Sequence, residues 1–175
     1  RILSECGRID VLVNNAGFGI SGAIEFTDMD EIRRQFDVNL FGTVRCIQAV
    51  LPAMREAHGG CILNLSSVAG VLPIPFQSFY SAVKASVNAL TLTLQNELRP
   101  YGVRVAAMLP GDVKTGFTAA REKNCKGAEV YPALLRSVST MEHDEQNGMS
   151  PARIADRLYR ISRKRNPKGL YSCGI

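Results

Sequence analysis

Tyr80 and Lys84 stand four residues apart in Phe79-Tyr-Ser-Ala-Val-Lys84. If this stretch is helical, that spacing stacks the phenol and the ammonium on one face, a single turn apart. A cation held near a phenol favours phenolate and draws its pKa down from about 10 towards working pH, which is what a proton-transfer residue needs. Upstream, the apolar run Cys61-Ile-Leu-Asn-Leu65 reads as a buried parallel strand that delivers Ser66 and Ser67 to its carboxyl end. Open α/β sheets hold ligands at that end of their strands, so a serine hydroxyl could meet the phenol there. Both serines are small hydroxyls at a strand end, and chemistry alone does not choose between them.

Three further motifs accompany the pair. Asn14-Asn-Ala-Gly17 follows the short apolar strand Asp10-Val-Leu-Val13, and Pro110-Gly111 follows a second strand, Val103 to Leu109, with Val113 and Thr115 just beyond. Asn39 sits among Phe36, Val38, Leu40 and Phe41. A polar side chain in that company is either buried and hydrogen-bonded or functional, because an unpaired buried amide costs about 1–3 kcal/mol.

In kind, order and spacing these motifs resemble the short-chain dehydrogenase/reductase family, from about Gly7 to Thr115. The resemblance implies a catalytic tetrad of Asn39, Ser67, Tyr80 and Lys84, with Ser67 preferred because family members place the active serine thirteen residues before the tyrosine. Tyr80 would be the general acid/base. Lys84 would lower its pKa and bind the nicotinamide ribose, Ser67 would hold the substrate oxygen, and Asn39 would hold a water linking the lysine to solvent. The cofactor would be NAD or NADP, bound by Asn14, Ala16, Gly17, Tyr80, Lys84, Pro110, Gly111, Val113 and Thr115, with no metal. The implied reaction is hydride transfer between the nicotinamide and a secondary alcohol or ketone. Val71, Leu72, Ile74, Phe76 and Phe117 suggest a small-molecule substrate with an apolar body, steroid-, retinoid- or lipid-like. The competing class is a catalytically silent binding or interaction fragment on the reductase scaffold.

The elements that must position these residues follow from patterning. The expected fold is α/β, a Rossmann-like doubly wound parallel sheet of which this chain carries the C-terminal part, strands four to seven with their helices. Arg1 to Cys6 resembles a helix tail stopped by Gly7. Asp28 and Glu31 have capping-box spacing and open a helical pattern running to about Glu56; Phe79 to Arg99 forms a long helix closed by Pro100-Tyr-Gly102. Ser150-Pro151 opens another helix, and Leu170 to Gly174 is the last strand. Between Gly116 and Met149 the signals weaken, with Tyr131–Arg136 the only helical fragment, so 112–150 is expected to be an irregular, mobile substrate loop.

The family's first strand and its Gly-x-x-x-Gly-x-Gly turn have no counterpart before Asn14. The chain is therefore expected to be a partial Rossmann-like domain, 1–175, either the second half of a longer, truncated protein or a true short chain. Its first strand should show an unpaired edge, and cofactor binding by this span alone should be weak.

Composition agrees. A chain of 175 residues, 46% hydrophobic, suffices for one core. It has no apolar run of the roughly 20 residues needed for a membrane span and no signal pattern, so a cytoplasmic protein is expected. Five scattered cysteines without C-x-x-C pairs fit reduced thiols, and neither His58 nor His143 has a ligand-like partner. The formal charge of +5 concentrates in Arg160–Lys168 at a helix end without interleaved aromatics, which argues against a nucleic-acid partner. Apolar positions on the helices at about 41–56 and 79–99 favour a homodimer or homotetramer, the family's usual assembly.

Overall fold

The computed structural model describes residues 1–174. Four apolar runs form one parallel sheet: β1 (Val11–Asn14), β3 (Gly60–Leu65), β4 (Val103–Pro110) and β6 (Leu170–Cys173), in the order β1-β3-β4-β6. Successive side chains of a strand point to opposite faces, and a parallel sheet buries both. Ile62, Val103 and Val105 accordingly pack with Ile47, Val50, Met54 and Leu98 on one side, whereas Cys61, Leu63, Ala106 and Met108 pack with Ile154 and Ile161 on the other. The first side is covered by α3 (Gly42–Glu56) and α4 (Ser78–Leu98), the second by α7 (Pro151–Ser162). The expected sheet is thus observed. β1 lies at its edge, pairing only β3 among the described strands, and Val11 and Val13 are 42% and 45% exposed.

Local signals set most boundaries. The short helix α1 (Ile2–Cys6) ends at Gly7, whose φ of 74° is left-handed, and Gly102 stops the turn after α4 with φ 69°. In α2 (Met29–Phe36), Glu31 accepts from the Asp28 backbone N–H at 3.0 Å, completing the capping box. Ser150 Oγ accepts from Ala152 N at 3.3 Å at the start of α7.

Two expectations need correction. The helical pattern from Asp28 to Glu56 is not one helix. Residues Asp37–Phe41 form a π turn between α2 and α3, a one-turn insertion that is frequent at functional sites. The region 116–149 is not irregular either: it holds α5 (Phe117–Ala120), β5 (Glu122–Lys123) and the 13-residue α6 (Leu134–Gln146). β5 pairs in parallel with β2 (Ile20–Ser21), tying this region to the loop after β1. No helix among the described residues is long and apolar enough to cross a membrane.

Candidate active site

At the carboxyl end of β3 the two serines part. Ser66 is buried and donates its hydroxyl to the Lys84 carbonyl at 3.1 Å, fastening the strand end to α4. Ser67 caps a 3-10 turn, Val68–Gly70, by accepting from Ala69 N at 3.1 Å, and its side chain also reaches the Tyr80 phenol. Gly70 allows this arrangement. A Cβ there would lie 2.8 Å from the Lys84 carbonyl carbon and 3.0 Å from Ala85 N, so only glycine lets the turn sit directly on the helix backbone.

Tyr80 and Lys84 lie on the inward side of α4, 8% and 6% exposed. The ammonium donates to Leu65 O at 2.7 Å and sits 5.6 Å from the Tyr80 ring centroid, over the ring. Burial dominates the phenol's proton affinity. Burial pushes Tyr80 up to about 12; the Ser67 hydrogen bond opposes that rise, Glu145 adds to it and Arg121 opposes it. Lys84 bears its own desolvation and falls to about 8. Both groups are buried, and burial disfavours the charged form of each, so the phenol is held protonated.

Ser67, Tyr80 and Lys84 share one cavity of about 590 Å³. Gly17, Pro110, Gly111, Val113 and Thr115 also line it, whereas Asn14, Ala16 and Asn39 do not. Asn39 is buried and its amide grips the backbone of Phe18: Oδ1 accepts from Phe18 N at 3.1 Å and Nδ2 donates to Phe18 O at 2.8 Å, which fixes the loop after β1. Asn14 donates to Asn64 Oδ1 at 2.8 Å, Asn64 to Thr91 Oγ1 at 2.9 Å, and Thr91 to Val87 O at 2.7 Å, a buried polar chain from the edge strand to α4. Ala16 is exposed; its neighbour Asn15 faces the cavity instead. Gly111 lies where a Cβ would meet Gly174 O at 2.1 Å, so β4 can turn there only without a side chain. The Thr115 hydroxyl accepts from Phe117 N at 3.2 Å.

The short chain dehydrogenase family pattern matches residues 1–126, a span that includes the whole Ser67–Lys84 constellation. The chain belongs to this family. Among curated relatives it is 41% identical over 170 residues to a 3-ketodihydrosphingosine reductase of Bacteroides thetaiotaomicron, covering 95% of this chain and 63% of that enzyme. Among solved structures it resembles a short-chain dehydrogenase of Streptomyces avermitilis, with TM-score 0.86 and 32% identity over 99% of this chain and 64% of that one. It also resembles ElxO solved with NADP bound, with TM-score 0.78 and 28% identity over 98% and 68%. The chain spans less than two thirds of the length of the curated reductase.

Within this family member, the far wall of the cavity comes from the region after Thr115, where sequence reading named Phe117 but missed Arg121 and Glu145. Phe117 packs on Tyr80, ring centroids 5.7 Å apart, and the Arg121 guanidinium lies 5.5 Å from the Phe117 centroid. Arg121 is buried and paired with Glu145, its second nitrogen donating to Oε2 at 3.1 Å; Thr118 donates to the same oxygen at 2.7 Å. Gln77, also buried, donates to Met141 Sδ and joins the start of α4 to α6. Of the expected apolar residues, Ile74 and Phe117 line the cavity, Phe76 packs edge-on to Tyr131, and Val71 and Leu72 are exposed outside it. No cluster of metal-ligating side chains exists among the described residues.

Proposed function

We propose that the protein carrying this chain is an NAD- or NADP-dependent oxidoreductase that reduces a ketone on a lipid-like substrate to the secondary alcohol, and runs the reverse reaction when the balance of substrates favours it. The observation that carries this reading is the convergence of Ser67, Tyr80 and Lys84 on one cavity. A protonated phenol is ready to act as an acid, the role that ketone reduction asks of it.

The residues present fit a nicotinamide cofactor. An ammonium has three donors, and among the described residues Lys84 spends one on Leu65 O, leaving two for a ribose diol. Val113 lines the cavity where its backbone would meet a carboxamide, and Thr115 is exposed at the same rim for a phosphate. When bound, the cofactor supplies or accepts the hydride. Tyr80 donates its proton to the carbonyl oxygen as negative charge develops there. Ser67 holds that oxygen in place and stabilises the charge. Lys84 orients the ribose and keeps a positive charge beneath the phenol ring. Asn39 acts through the loop that it fastens at Phe18.

The apolar lining from Ile74, Phe117, Leu65 and Val68 supports an apolar substrate body. The similarity to a reductase named for 3-ketodihydrosphingosine supports a ketone on a lipid-like body. Residues 112–150 would form the substrate side, and exposed Phe41 just before α3 and Leu92 on α4 favour a homo-oligomer. The free cysteines fit a reducing, cytoplasmic setting. The test is consumption of NADH or NADPH by the intact protein, followed by absorbance, with long-chain and short-chain ketones. Faster turnover of the long-chain ketone is expected. No turnover with any ketone, in protein that binds either cofactor, would overturn the reading in favour of a silent binding protein.

A further inference from the structure

Arg121, wholly buried, is paired with the part-buried Glu145 beside the reaction site, and burying charge in this way seldom serves stability. Desolvating two charges costs several kcal/mol per ion, and replacing such a pair with apolar residues of like size is often neutral or stabilising. What the pair does achieve is geometric. Arg121 is 4% exposed and joins both Glu145 oxygens, Thr118 adds a third hydrogen bond, and Nε has no partner. The guanidinium lies over Phe117, and Phe117 lies against Tyr80. Gly19 closes the group from the opposite loop, where an added Cβ would come within 3.2 Å of Phe117 and 3.7 Å of Arg121 Nε. Glu145, alone of the ion pair, also faces the cavity.

We propose that the Arg121–Glu145 pair positions the reaction centre: it holds Phe117 against Tyr80, excludes water from the phenol, and sets the electrostatic field in which the proton moves. This rests on the assignment of Tyr80 as the proton-transfer residue. The charged groups around the phenol are Lys84 on its own helix, Glu145 on α6 and Arg121 between α5 and β5, and Asp112 stands close enough to feel both members of the pair. Glu145 raises the pKa of Tyr80 and Arg121 lowers it, so their removal acts in opposite senses.

The experiment compares Glu145→Gln, Glu145→Asp and Tyr80→Phe in the intact protein, by kcat and KM for ketone reduction across pH. Glu145→Gln should lower kcat roughly 10- to 100-fold through misplacement of the ring, and should move the alkaline limb of the kcat profile to lower pH. Glu145→Asp, which keeps the charge, should leave that limb near its original position although kcat falls. Should Glu145→Gln fail to fold, the neutral pair Arg121→Met/Glu145→Gln takes its place, with lowered kcat supporting the proposal and unchanged kcat overturning it. A Glu145→Gln enzyme with the parent's kcat and pH profile overturns the positioning role. Turnover retained in Tyr80→Phe overturns the functional reading itself, so the two failures are distinguishable.

Discussion

Replacing Lys84 with methionine separates what the buried ammonium does for the reaction from what it costs the fold. Burial lowers Lys84 from 10.5 to about 8. Between those two values the unfolded chain binds a proton that the folded chain has released, so the lysine makes stability rise with pH across that window, and below about pH 8 its full desolvation penalty remains. At about 1.4 kcal/mol per pH unit, the contribution between pH 7 and 9.5 amounts to about 2 kcal/mol. Tyr80 acts in the opposite sense but higher: its folded pKa of about 12 means that stability is lost as the unfolded phenol ionises above about pH 10. Urea unfolding of the intact parent and of Lys84→Met, at pH 7 and 9.5, isolates the lysine, because every other titrating group cancels in the difference. The parent should gain about 2 kcal/mol relative to the variant over that interval. Parallel stabilities at the two pH values would refute the buried, charge-destabilised lysine. Turnover of the variant should fall at both.

Tyr80→Phe should lower turnover on the order of 100- to 10,000-fold while the circular-dichroism melt stays within a few degrees of the parent; near-normal turnover would sink the assignment. Gly70→Ala forces the new methyl against the Lys84 and Ala85 backbone. It should cost about 1–3 kcal/mol in urea unfolding and reduce turnover by displacing Ser67, and an unchanged midpoint would show that the turn is not clamped. Asn64→Leu breaks the chain between Asn14 and Thr91 inside the sheet. It should cost about 1–3 kcal/mol by leaving the Asn14 amide without its acceptor and the Thr91 oxygen without its donor, which unfolding at neutral pH would register.

Sequence determined those features that depend on local spacing. The apolar runs marked the four strands, Asp28 with Glu31 and Ser150 with Pro151 marked helix starts, and Gly7 and Gly102 marked stops. The four-residue interval fixed Tyr80 and Lys84 on one face of α4. Helical or strand periodicity specifies the direction in which a side chain leaves its own element; it carries no information about what lies opposite. Only the tertiary structure therefore decided that Ser66 fastens a strand while Ser67 faces the phenol, and that the Asn39 amide belongs to Phe18, twenty-one residues away. It also decided the proton affinity of Tyr80, because burial, which sequence does not state, outweighs the neighbouring charges. The helix α6 was read only at its first residues, Leu134–Arg136, for the same reason. Its apolar stripe is thin, and much of what holds it comes from elsewhere in the chain, from Arg121 on Glu145, Lys123 on Glu142 and Gln77 on Met141.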